Sequence, residues 1–378
     1  MNQAKNYYWR IAGFYFCYYA FIGMFSPYWS LYLQSIHFNA IEIGILMSVH
    51  PLMRMLAPGL WGWLADHTGN RLQVIQIAAA LSALFYLGVF VTTSFTGMLL
   101  VLGLMSFFWS ASMPLVEATT LSYLGQHAAR YGRLRSWGSV GFIVTVVGLG
   151  YAFDYIAVAW LVWAGLVCEL GILVFSRTLP ATDALAHHSD HVPIRQILLQ
   201  PRVLALFGAC FLMSAAHGPY YTFFSIYLVE HGYPKSAVGG LWALGVVCEI
   251  AVFFLMPKLT RRFGLTRILI ASLGLAVLRF MLIGWAVDFL LLLLSAQVLH
   301  AATFGAYHAS SVGLVHELFQ GRHQSRGQAL FGSVTYGAGG VLGGLVSGPI
   351  WQHFGASMLY TASAVMALLG LLLMISRR

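Results

Sequence analysis

The chain reads as long runs of apolar side chains, broken at short intervals by Gly, Pro, Asn, Asp or basic residues. Twelve runs stand out, at about 10–33, 41–64, 72–93, 97–124, 135–154, 157–176, 202–229, 236–258, 267–286, 289–317, 327–350 and 356–376. Each reaches the roughly 20 residues that a helix needs to cross a bilayer. The runs are continuous and do not alternate with polar positions, which excludes an outer-membrane barrel. The pattern predicts an all-α membrane protein with twelve transmembrane helices. One longer polar stretch, "RTLPATDALAHHSDHVPIRQ" within 177–200, separates six runs from six. The expected organisation is an N-terminal six-helix bundle over 1–180, a cytoplasmic central loop over 181–200 and a C-terminal six-helix bundle over 201–378. His187, His188 and His191 in the loop have no companion ligands, so they read as part of a solvated linker and no metal site is expected.

Composition agrees with the pattern and excludes the main alternatives. Of 378 residues, 60% are hydrophobic and only 8% are charged, and the mean hydropathy is +0.79. A soluble domain carries about 25% charged residues, so a soluble enzyme, a nucleic-acid binder and a disordered chain are all excluded. The net charge of +9 reports orientation. With a cytoplasmic N-terminus, all Lys and Arg except Lys235 (outside) and Arg54 and Arg279 (within spans) fall at cytoplasmic ends and loops. The positive-inside rule therefore puts both termini in the cytoplasm, and the expected location is a bacterial inner membrane. Cys17, Cys168, Cys210 and Cys248 all lie in spans and read as apolar thiols. The first run is long, rich in Tyr and without a small-residue cleavage site, so it reads as a span and not as a removable signal.

The halves are related. At an offset of 195 residues Tyr32-Leu33 falls on Tyr227-Leu228, Gly44 on Gly239, Leu64 on Leu259 and Gly69 on Gly264. Such a repeat marks a transporter built of two bundles with its site between them. Between spans two and three stands "GWLADHTGNR", with Gly62, Asp66, Gly69 and Arg71. There Gly62 allows close helix approach, Gly69 a tight reversal, and Arg71 supplies a cation. This resembles the loop signature of the major facilitator superfamily; "KLTRRFGLTR" in the second half is a degraded copy with Arg261 in place of the acid. The resemblance covers the whole chain. It implies that Gly62, Asp66, Gly69 and Arg71 latch the halves and govern opening without touching substrate.

Ionisable groups inside spans each cost about 2.5–3.5 kcal/mol at a helix centre on insertion scales, so each needs a reason. They are Arg54, Glu117, Glu169, Glu249 and Arg279, joined by His217, His300 and His308. Two Arg against three Glu suggest pairing in a wet cavity. The 195-residue offset pairs Arg54 with Glu249 and gives that cavity opposite electrostatic walls. His300 and His308 lie about 80° apart on a helix and can share one broad face. A Glu–Arg–His cluster at mid-membrane depth suits proton coupling.

The segments "HGPYYTFFSIYL", "GLWALGVVCEI", "LRFMLIGW" and "QVLHAATFGAYHAS" resemble the phenylpropionate permease branch of the superfamily, with a distant similarity to lactose and nucleoside proton symporters. By that resemblance Glu249 contributes to substrate binding, and Arg279 and His300 serve proton coupling. The acid that follows the span-ten histidine in lactose-type relatives is missing; His308 is eight residues on and Glu317 lies near the cytoplasmic end. Glu117, Glu249 and the histidines all remain candidate proton carriers.

The resulting expectation is a secondary transporter working by alternating access, importing a small organic solute such as an aromatic carboxylate together with a proton. Arg54 or Arg279 would pair with the carboxylate, and Tyr28, Trp29, Tyr220 and Tyr221 either face its ring or pack in the core. A nucleoside or sugar held by Glu117 and Glu249 is the alternative, as is export of drugs or metabolites by the same fold. No nucleophile–base motif or Walker loop is present, so neither an enzyme nor a primary pump is expected. No cofactor is expected beyond the coupling proton. The partners are the solute, the proton and the lipid bilayer, with no nucleic acid, and the resemblance implies a monomer.

Overall fold

The computed structural model describes residues 2–181 and 194–376, apart from the side chains of 2–6, 128, 129 and 322. Most of the central loop, with His187, His188 and His191, lies outside the described residues, as do Arg377 and Arg378. The described chain is helical throughout, without a strand. The long helices are α1 (Asn2–Ser35), α2 (Ala40–Thr68), α3 (Arg71–Tyr86), α4 (Phe95–Leu124), α5 (Tyr131–Phe153), α6 (Leu161–Ser176), α7 (Pro201–Glu230), α8 (Lys235–Phe263), α9 (Leu265–Trp285), α10 (Leu290–Leu318) and α11 (Gln324–Ile375).

Ten of these, α2 to α11, are long and apolar enough to cross a membrane once 3-10 turns carry α3 on to Phe90, α4 to His127 and start α6 at Val158. Helix α1 is 34 residues long but carries many Tyr and polar side chains, and stands outside that set. The 52-residue α11 is not one straight rod: at Gly355 the backbone leaves helical geometry (φ 78°, ψ 178°), a region open to Gly and strained for other residues.

The helix starts follow from local chemistry. Asn39 and Glu42 form a reciprocal box at the start of α2: the Asn39 N–H donates to Glu42 Oε2 (2.9 Å) and the Glu42 N–H to Asn39 Oδ1 (3.0 Å). Asn70 Oδ1 caps α3 through the Gln73 N–H, and Ser94 Oγ caps α4 through the Gly97 N–H.

By contacts the chain divides into two units, Met1–Phe38 with Leu52–His188, and Asn39–Pro51 with Ser189–Arg378. In the first unit α1 packs on α5 and α6, and α3 on α4 and α6. Buried hydroxyls find backbone acceptors: Tyr28 donates to the Val146 carbonyl (2.6 Å) and Tyr86 to that of Val162 (3.0 Å). In the second unit α7 and α9 pack on α11, and α8 and α9 on α10.

Between apolar helices in lipid the hydrophobic drive is absent, so close packing of small residues does that work. A Cβ built on Gly218 would lie 2.5 Å from the Gly343 Cα, and one on Gly343 would lie 2.9 Å from the Gly218 Cα. Residues 39–51 join this unit in the same way, since a Cβ on Gly44 would meet the Gly344 carbonyl at 2.9 Å. The glycine-rich stretch of α11 is therefore a packing surface.

Two helices loosen locally into π geometry: α10 over Ala301–Ala306 and α11 over Ser333–Gly339. Such turns are frequent at functional sites.

Candidate functional site

Arg279 of α9 is the centre of the second unit's polar cluster. It is 0% exposed, a position an obligate cation occupies only at high cost without partners. Its Nε donates to the Ala296 carbonyl (3.1 Å) and its Nη1 to Thr303 Oγ1 (3.3 Å) and His217 Nε2 (3.2 Å). The guanidinium lies 4.3 Å from the Tyr220 ring centre. His217 Nδ1 sits 2.8 Å from the Met213 carbonyl. A neutral imidazole protonated on Nδ1 fits both contacts: it donates to the carbonyl and accepts from arginine. Every partner of Arg279 among the described residues is uncharged, no described carboxylate lies within ion-pair distance, and Nη2 has no hydrogen-bond partner.

Gln297 and His300 of α10 extend the cluster. Gln297 Oε1 accepts from the Tyr220 hydroxyl (2.9 Å), which leaves the Gln297 amide nitrogen, itself buried, without a partner. The His300 ring stacks near that of Tyr220 (5.7 Å), and its Nε2 is 4.0 Å from Glu249 Oε2 of α8. From His300 a column of rings runs along α10. Phe304 stacks on His300 at 5.2 Å, His308 on Phe304 at 6.4 Å, and His308 Nδ1 meets the Tyr336 hydroxyl at 2.7 Å. The π turns lie within this arrangement, since Thr303 and Phe304 belong to the first and Tyr336 to the second. His217, Glu249, Arg279, His300 and His308 thus form one connected group.

The first unit holds the remaining candidates in separate settings. Glu117 of α4 accepts from the Tyr131 hydroxyl (3.1 Å) and faces Arg135 Nε at 3.7 Å. The Arg135 guanidinium also bonds the Tyr19 hydroxyl and covers that ring at 4.0 Å. Arg54 of α2 is exposed. Glu169 of α6 departs from the expected pairing of charges in a wet cavity. It is 0% exposed and makes no ion pair among the described residues, and only Ser82 donates to it. Tyr28 and Trp29 are fully buried core residues.

In the loop motif Gly69 takes φ +65°, the conformation for which the reversal needs glycine. Asp66 is exposed and Arg71 buried, and no ion pair joins them. A Cβ on Gly62 would meet no described atom within 4 Å, so the close helix approach expected there is not made in this conformation. Gly264, the repeat partner of Gly69, also has positive φ (76°).

Gln297, Thr303, Tyr336 and Arg135 were not among the residues singled out from sequence. Gln297 has a signal in hindsight, a lone amide three residues before His300 in an apolar run. Thr303 has none, because one hydroxyl among small residues is ordinary in a membrane helix.

The class of protein follows from comparison with known proteins. Residues 8–362 match the MFS_1 like family, and the chain belongs to this family of major facilitator superfamily transporters. It is 30% identical over 355 residues, 93% of each chain, to a protein of Escherichia coli named as a probable 3-phenylpropionic acid transporter. It is 26% identical to the maltose permease of Geobacillus stearothermophilus, over 96% of this chain and 92% of that one. In fold it is similar to the crystal structure of the nucleoside transporter NupG, with a TM-score of 0.85 at 18% identity, over 98% of this chain and 98% of the other. These relatives are transporters and permeases, and the protein is a multi-pass membrane transporter, not an enzyme.

Proposed function

We propose that the protein is a proton-coupled symporter of a small aromatic carboxylate resembling 3-phenylpropionate. The observation that carries this reading is Arg279, buried among neutral partners with Nη2 unsatisfied. A buried guanidinium without a carboxylate of its own suits a carboxylate brought by the solute, which it can bind through a forked contact. The unpartnered Gln297 amide is a second donor beside it, and Tyr220, Tyr221 and Trp242 supply ring surfaces. The name of the relative that is 30% identical supports the same solute class. Glu249 and His300, 4.0 Å apart, are the proton-coupling pair in this reading.

The reading includes twelve crossings, with α1 as the first and α11 counted twice on either side of Gly355. It includes a bacterial inner membrane with both termini cytoplasmic, on the distribution of Lys and Arg, and a monomer. Transport proceeds by alternating access, with the sequence halves 1–180 and 201–378 as the moving bodies. The test is uptake of radiolabelled 3-phenylpropionate into proteoliposomes, with and without an inward proton gradient. Accumulation that collapses with an uncoupler is the expected result. No uptake by folded protein would discard the aromatic-carboxylate reading in favour of nucleosides, sugars or export.

A further inference from the structure

Glu169 is the one buried carboxyl group among the described residues of the first unit, and the proposed site leaves it unused. It lies in the middle of α6, where α6 meets α1 and α3, and it is 0% exposed. Ser82 Oγ of α3 is 3.1 Å from Oε1. Ser82 has a single hydroxyl proton and also lies 3.4 Å from the Met105 carbonyl of α4, so its shorter contact is with the carboxyl. Oε2 is buried and has no hydrogen-bond partner.

The groups around Glu169 offer no compensating charge. The titratable groups within electrostatic range are Tyr18 of α1, Tyr86 of α3 and Cys168 of α6, each uncharged in its ordinary form. From α4 the Met105 carbonyl reaches the shared serine, and no described Lys, Arg or His lies within ion-pair distance. The Tyr86 hydroxyl is committed to the Val162 carbonyl at 3.0 Å and does not turn to the carboxyl. An ionised carboxylate here would sit unpaired in a dry pocket, at a cost of many kcal/mol, whereas the neutral acid costs far less.

We propose that Glu169 is a proton-binding site of the N-terminal half, protonated on Oε2 while α3 and α6 are in contact. It releases that proton when a local opening between α3 and α6, within that half, admits water to Oε2. The step is a plain ionisation: the Oε2–H bond breaks, the proton passes to the entering water, and the electron pair stays on the carboxylate. The carboxylate keeps the Ser82 hydroxyl as donor to Oε1, and water supplies the donors that Oε2 lacks in the packed state. The site lies in the other half of the repeat from Glu249 and His300. Its role in transport rests on the symport reading above; its protonation does not.

Infrared spectroscopy of the purified protein in lipid tests the site without any solute. The expected spectrum contains a protonated-carboxyl carbonyl band that persists at neutral pH, is missing in Glu169→Gln, and is shifted but retained in Ser82→Ala, which removes only the hydrogen bond. Glu169→Gln keeps the shape of the side chain and the Ser82 contact; should it fail to fold, the Ser82→Ala shift alone decides. A spectrum unchanged in both variants overturns the proposal. For the role in transport, Glu169→Gln is expected to lose accumulation of 3-phenylpropionate driven by a proton gradient, and intact accumulation would refute that role. If the wild type does not take up 3-phenylpropionate at all, the solute reading fails while the infrared result still stands for or against the proton site.

Discussion

At the scale of single residues, the distinction that matters is between a charge and a shaped charge. Arg279 spends Nε on the Ala296 carbonyl and Nη1 on His217 and Thr303, which leaves Nη2 for a ligand. A lysine carries the same charge with three donors on a single nitrogen, and lacks the planar fork that reaches Ala296, His217, Thr303 and a ligand together. Arg279→Lys is therefore expected to weaken 3-phenylpropionate binding by about 2 kcal/mol, roughly thirtyfold in Kd, the size of a charge-assisted hydrogen bond. Binding of radiolabelled solute to the purified variant measures it, and near-normal affinity would reduce Arg279 to a charge-balancing role. Arg279, His300 and Glu249 were legible in the sequence because an ionisable group inside an apolar run is conspicuous. Their partners were not: Gln297 and Thr303 matter through direction and distance, which a linear pattern does not carry. Arg135 was grouped by its position with the cytoplasmic basic residues, yet its guanidinium turns to Glu117 and Tyr19.

At the scale of helices, the runs and their breaks were readable because a bilayer forces every backbone group into internal hydrogen bonds, so apolar length alone implies a helix. Contacts between helices were readable only where glycine marks them. In α11, "YGAGGVLGGLVSG" announced close packing, and Gly343 meets α7 backbone to backbone. A side chain there has nowhere to turn, because the obstructing atoms are Ala215 and Gly218 main chain. Gly343→Val is expected to destabilise the protein by about 1–3 kcal/mol or more, the range for overpacking. Gly274→Ala serves as the control, since its nearest new contact is the flexible Leu371 side chain at 3.9 Å. Thermal melting in detergent checks the pair, and equal melting temperatures would mean that α7 and α11 separate freely. The π turns of α10 and α11 left no mark in the sequence, because one extra residue per turn shifts a face without changing composition. In an ideal α-helix His300 and His308 diverge by about 80°; across the π turn Phe304 bridges them in a ring column.

At the scale of the whole molecule, symport is a statement about coupling free energy. The proton and the solute must each favour the same conformation over another, and neither can shift the equilibrium by more than its own differential affinity. A titratable group serves that purpose only if its charge changes during the cycle. Glu249 is half-buried and 4.0 Å from His300, so its ionised form has a partner within reach and its neutral form is tolerated. Glu249→Gln fixes that position in the neutral form and removes the dependence on proton concentration. With one proton per solute, a tenfold inward proton gradient supplies about 1.4 kcal/mol, enough for roughly tenfold accumulation. In proteoliposomes containing Glu249→Gln the inside-to-outside ratio of 3-phenylpropionate is expected to reach only about one, because solute then enters down its own gradient alone. A ratio equal to that of the wild type would remove Glu249 from coupling and pass the role to the remaining titratable groups, His300 and His308 in the same ring column and Glu169 in the N-terminal half.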